Sequence, residues 1–95
     1  MIVTIRIPTP LRKITGGAAR VDATGDTVRE ALDSLVTSFP ELNDRVYDQD
    51  AKLRRFINLF VGEEDIRFLN GLDTPLSEGA ELSIVPAVAG GDGNF

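Results

Sequence analysis

One stretch of this chain commits to a long amphipathic helix, and the segments on both sides of it read as strands. Thr27 and Glu30 fit a capping box, in which the hydroxyl accepts from an early backbone N–H and the carboxylate reaches back to another. Asp26 adds negative charge at the positive end of the helix dipole. Val28, Ala31, Leu32, Leu35, Val36 and Phe39 then recur at three- and four-residue steps, which makes one apolar stripe facing a core. Pro40 ends the helix, because the residue before a proline is pushed out of the α region.

The flanking segments supply the sheet. Ile2 to Ile7 is rich in β-branched residues, with Val3, Ile5 and Ile7 on one face and Ile2, Thr4 and Arg6 on the other. Pro8 and Pro10 limit it, Gly16-Gly17 marks a turn, and Ala18 to Asp22 reads as a second strand. After the helix, Pro40 to Tyr47 suits one short helical turn with Leu42 and Val46 inward, and 48–52 is a polar loop. Phe56 to Val61 carries the strongest strand signal. Gly62 to Asp65 reads as a turn, Ile66 to Phe68 as a short returning strand, and Gly71 to Leu76 as a loop with room for one tight helical turn. Ser77-Glu78-Gly79 is a further turn, and Glu81 to Val85 a final strand stopped by Pro86. The order is strand, strand, helix, strand, short strand, strand. It predicts an α+β, β-grasp (ubiquitin-like) fold: a mixed sheet of four to five strands with one main helix packed across it, formed by residues 1–86.

Composition narrows the function. At 95 residues the chain has room for one core and little room for a deep cleft, which favours a carrier, substrate or binding module over an enzyme. It contains no histidine and no cysteine. The commonest general base, the commonest transition-metal ligand and the thiol nucleophile are therefore all missing, and no metal site is expected. A net charge of −5 disfavours nucleic acid as a main partner. No apolar run approaches the roughly 20 residues that span a bilayer, and the start does not read as a signal peptide, so the expected location is cytoplasmic.

Residues 87–95 read as a flexible tail, Ala87-Val88-Ala89-Gly90-Gly91-Asp92-Gly93-Asn94-Phe95. From Ala87 to Gly91 it can extend roughly 15–18 Å, enough to enter a partner's active site while the body stays outside. Glycine lacks a β-carbon, so Gly90-Gly91 suits a narrow channel.

The stretch Leu82-Ser83-Ile84-Val85-Pro86-Ala87-Val88-Ala89-Gly90-Gly91 resembles the C-terminal signature of the ubiquitin-like sulfur carriers. That group includes the molybdopterin synthase small subunit, the thiamin-pathway carrier and the carrier of cysteine biosynthesis. Gly25-Asp26-Thr27-Val28 resembles the family's helix start, and Arg55 to Val61 with Glu64 to Arg67 its middle strands. Ile7-Pro8-Thr9 and Leu11-Arg12 look most like the cysteine-pathway members. The resemblance implies a chain that is no enzyme, binds no cofactor and offers its own C-terminal carboxyl as substrate. An adenylating enzyme related to ubiquitin-activating enzymes would use ATP to activate Gly91. The resulting thiocarboxylate would pass to a sulfur-accepting synthase, for cysteine a PLP-dependent one. Molybdopterin, thiamin or another sulfur-containing metabolite stays open as the product, and so does conjugation to other proteins through Gly91 as a ubiquitin-like modifier. In the family's active form Gly-Gly is the terminus. Here Asp92 follows, so the resemblance implies cleavage between Gly91 and Asp92 by a zinc metalloprotease of the deubiquitinase type.

Other residues carry paired readings. Phe56 and Phe60 share a strand face opposite Ile57, Leu59 and Val61; with Val85 they form either an exposed partner surface or rings covered by loops. Lys52, Arg54 and Arg55 are either a solvated cluster or a dock for an acidic partner edge. Glu63, Glu64 and Asp65 lack calcium-loop spacing and read as a solvated turn.

Overall fold

The computed structural model describes residues 1–86. Five strands form one sheet: β1 (Ile2–Arg6), β2 (Arg20–Thr24), β3 (Ile57–Val61), β4 (Glu64–Asp65) and β5 (Glu81–Pro86), in the order β2-β1-β5-β3-β4. β1 pairs antiparallel with β2 and parallel with β5, and β3 pairs antiparallel with both β5 and β4. The main helix α1 (Val28–Ser38) lies across one face, and a single-turn helix α2 (Asn43–Val46) follows a 3-10 turn at Pro40–Leu42. This is the β-grasp architecture expected from the element order.

The core is where the stripe of α1 meets alternate sheet positions. Val28, Ala31, Leu32 and Leu35 are buried against Val3, Ile5, Ile57, Leu59, Leu82 and Ile84, and Leu42 and Val46 close one end with no exposed surface. The cap of α1 differs from the expected box in one detail. Thr27 Oγ1 accepts from Glu30 N at 3.2 Å, but the Glu30 carboxylate reaches past Thr27 and accepts from Asp26 N at 2.8 Å. The loop before β5 clamps the same end: Val28 N donates to Thr74 O and Leu76 N to Asp26 O.

Three boundaries move from the sequence expectation. The second strand begins at Arg20 rather than Ala18, because Thr15 Oγ1 donates within a turn that extends through Ala18. Gly16 and Gly17, at φ +68° and +89°, make that turn possible. Phe56 is not on the third strand; it sits in a turn closed by Ile57 N donating to Arg54 O. The returning strand is Glu64–Asp65, whereas Ile66–Phe68 is a 3-10 turn. Asp65 causes this, since its carboxylate accepts from Arg67 N at 2.8 Å and caps the turn.

Gly25 is needed for close approach. A β-carbon there would lie 2.6 Å from Ala31 N and 2.8 Å from the Glu30 backbone carbon, in the first turn of α1. Gly25→Ala is therefore expected to cost about 2 kcal/mol, lowering Tm by roughly 10 °C in a thermal melt, with the spectrum of the folded state retained.

Candidate functional site

The predicted tail leaves the body from the end of β5. Alternation sets that strand's geometry: Leu82 and Ile84 are buried, while Glu81, Ser83 and Val85 face away from α1. Pro86 is paired with Ile57, so the chain departs beside the first residue of β3. Val88, Ala89, Gly90, Gly91 and the Gly91–Asp92 junction lie outside the described residues.

The predicted partner surface resolves into two places. Phe60 stands opposite Ser83, and Asn58 opposite Val85, so Phe60 and Val85 are diagonal neighbours on the face turned away from α1. Val85 is 41% exposed and Phe60 is partly buried without joining the core. Phe56 does not join them. It lies in its turn before β3, 45% exposed, with the Arg55 guanidinium 5.8 Å from its ring centroid. The far half of the open face is charged instead: Arg6 and Arg20 each approach Glu81 at 3.9 Å. These half-exposed pairs contribute little energy but fix which part of the face is apolar.

The most exposed aromatic side chain among the described residues is one that the sequence does not single out. Phe68 is 84% exposed, and with Leu69, Val61 and Pro75 it borders a shallow depression. As a strand residue it would have shared the face of the buried Ile66. A 3-10 turn breaks that alternation and turns Phe68 outward. Capping propensity at Asp65 was the available signal.

The titratable groups here serve structure. The Asp65 carboxyl is held below its usual range, first by the Arg67 side chain at 2.7 Å and then by the Arg67 backbone N–H. Asp48 is lowered too, by backbone N–H donors of Lys52 and Asp50. Tyr47 donates to Asp33 Oδ1 at 3.4 Å, and its phenol is pushed up to about 12, by burial first and then by the neighbouring Asp33 charge. Among the described residues, no group of three or more histidines, cysteines or carboxylates is arranged to hold a metal. No helix among them is long and apolar enough to cross a membrane.

The comparisons with known proteins decide the family. Residues 5–91 match the ThiS family. The chain belongs to it. The sulfur carrier protein CysO of Mycobacterium tuberculosis is 43% identical over 93 residues, spanning 96% of this chain and 100% of that protein. A chain in the crystal structure of the Amycolatopsis orientalis BexX/CysO complex superposes with a TM-score of 0.85 at 45% identity, covering 94% of this chain and 99% of that one. Small archaeal modifier protein 1 of Haloferax volcanii is 37% identical, over 85% of this chain and 91% of its own length.

Two outcomes follow from this geometry. Phe60→Asp should leave Tm within a few degrees, because the ring lies outside the core; a collapse of the NMR spectrum would make Phe60 a core residue. The Tyr47 phenol is protonated in the fold above its unfolded value of 10.0. Its contribution is fully present below pH 10 and lost as pH rises from about 10 to 12. Urea unfolding across that window should show a steeper loss for the native protein than for Tyr47→Phe.

Proposed function

We propose that this chain is a sulfur carrier whose working group is the carboxyl carbon of Gly91, and that it serves cysteine biosynthesis. One observation carries the reading: the family match runs from residue 5 to residue 91 and stops on the second glycine, leaving residues 92–95 outside. The likeness to CysO over nearly the whole chain favours cysteine as the product over molybdopterin or thiamin.

The chemistry asks little of the body. Once the bond between Gly91 and Asp92 is hydrolysed, the new α-carboxylate is ionised at neutral pH. Its oxygen attacks the α-phosphate of ATP in an adenylating enzyme, and pyrophosphate leaves. A sulfur nucleophile then attacks the carbonyl carbon of the mixed anhydride, AMP leaves, and the product is a terminal thiocarboxylate. Enclosure in the partner's site shields the adenylate from water. The carrier supplies no catalytic side chain, in keeping with a sequence that lacks histidine and cysteine. Hydrolysis beyond Gly91 falls to a zinc metalloprotease of the deubiquitinase type, and the thiocarboxylate goes to a PLP-dependent cysteine synthase.

A second reading has a specific basis. The likeness to small archaeal modifier protein 1 supports conjugation through Gly91 to lysines of other proteins.

Mass spectrometry separates these. A version ending at Gly91, incubated with ATP, a sulfide source and the adenylating enzyme of the same organism, should gain about 16 mass units as oxygen is replaced by sulfur. The chain ending at Phe95 should show no gain until residues 92–95 are removed. If the trimmed form stays at its starting mass while Gly-Gly remnants accumulate on lysines of other proteins, the modifier reading replaces the carrier reading.

A further inference from the structure

The feature not used by the tail chemistry is a basic cleft beside the tail's point of departure. It lies between α2 and the start of β3, has a volume of about 840 Å³, and is lined by Arg45, Lys52, Arg54 and Arg55 together with Leu53, Phe56 and Ile57. Asp44 and Asp48 also border it, so the lining carries a net charge of +2 on a chain whose total is −5. None of the four cations forms an ion pair among the described residues, whereas Arg6, Arg20, Arg29 and Arg67 all do. The negative charge within the cleft is partly committed, since the Asp48 carboxylate accepts from Asp50 N and Lys52 N.

The cleft is also built in advance. Asp48 holds the loop around Ala51, whose φ of +59° is a left-handed value that an alanine adopts only when its surroundings require it. Asp48 N donates to Lys52 O, which places Lys52 on the rim. Arg54 N donates to Val46 O at 2.8 Å and Arg54 Nε to Asp44 O at 2.6 Å, which ties the far wall to α2. Ile57, in the lining, is the residue paired with Pro86. The last described residue of the chain therefore lies next to the lining of this cleft.

We propose that the cleft docks an acidic segment of the partner protein that receives the tail. Carboxylates of that segment pair with Arg45, Lys52 and Arg55, and an apolar side chain packs on Leu53, Phe56 and Ile57. Charge selects this occupant. The chain outside the cleft carries net negative charge, so an acidic partner surface is favoured here over most of the body and the pairing fixes orientation as well as contact. The same overall charge opposes a long polyanion such as RNA. The partner's role rests on the carrier function proposed above; the cleft's preference for an acidic peptide does not.

Two arms test it. In the first, the ¹⁵N-labelled protein is titrated with a short blocked peptide of alternating glutamate and leucine, with a glutamine–leucine control and a dT oligonucleotide as a polyanion. The glutamate peptide should shift amides of residues 45–57. Binding should weaken at least tenfold in the Lys52→Glu, Arg55→Glu double variant, whose two side chains make no hydrogen bond in the fold. Shifts centred elsewhere, shifts unchanged in the variant, or tighter binding by the oligonucleotide would overturn the proposal. In the second arm, the trimmed double variant is assayed with the adenylating enzyme of the same organism. KM for the carrier should rise about tenfold with kcat unchanged, and a KM within twofold of the native value would overturn the partner assignment. Absence of activation in the native trimmed protein would count against the carrier function, and the peptide arm would still decide the cleft.

Discussion

The structure depends on the last strand of the chain occupying the middle of the sheet. β5 lies between β1 and β3, with Leu82 and Ile84 in the core and ladder partners on both sides. The fold cannot close until that strand is in place, because β1 and β3 have no direct pairing. The segment leading to Gly90-Gly91 thus begins from one of the most constrained parts of the molecule. Fraying at a chain end is common where the terminus is held only by an edge. Here β5 is held by β1 over Glu81 to Ser83 and by β3 as far as Pro86, so the point of departure has a fixed place on the body.

Much of this was legible in the sequence because local and global signals agreed. The stripe from Val28 to Leu35 and the alternation of Val3, Ile5 and Ile7 point to one shared core and are buried as expected, and Thr27 caps the helix through Glu30 N, with only the Glu30 carboxylate shifted to Asp26 N. Leu42 and Val46 were placed inward from spacing alone and have no exposed surface. The errors cluster where a polar side chain competes for the backbone. Asp65 caps a 3-10 turn through a segment of strand-forming residues, and Thr15 prolongs the turn that delays β2 to Arg20. β-propensity describes how a side chain fits a pleated surface and carries no information about such local capping.

The candidate surfaces show the same division. Phe60 and Val85 could be assigned to one face because register in an antiparallel pair follows from alternation once the strands are known. Phe56 could not, since only the Arg54–Ile57 turn removes it from the strand. That displacement is what brings its ring to the basic cleft rather than to the open sheet face. The cluster Lys52, Arg54 and Arg55 was visible as charge, but its relation to Arg45 and Ile57 depends on how α2 folds back against the start of β3.

A small carrier of this kind faces a recognition problem that its own chemistry cannot solve. Gly90-Gly91 has almost no side-chain surface, so discrimination must come from the folded body. Two patches meet near the Ile57–Pro86 pair: the apolar Phe60–Val85 diagonal on the open face and the basic cleft behind the turn at Phe56. One offers area removed from water and the other offers charge of a sign opposite to the rest of the chain. Apolar burial is non-directional, whereas a charged pairing is penalised in any wrong orientation. On the proposed reading, the apolar patch would supply contact area and the cleft would set the orientation of a bound partner.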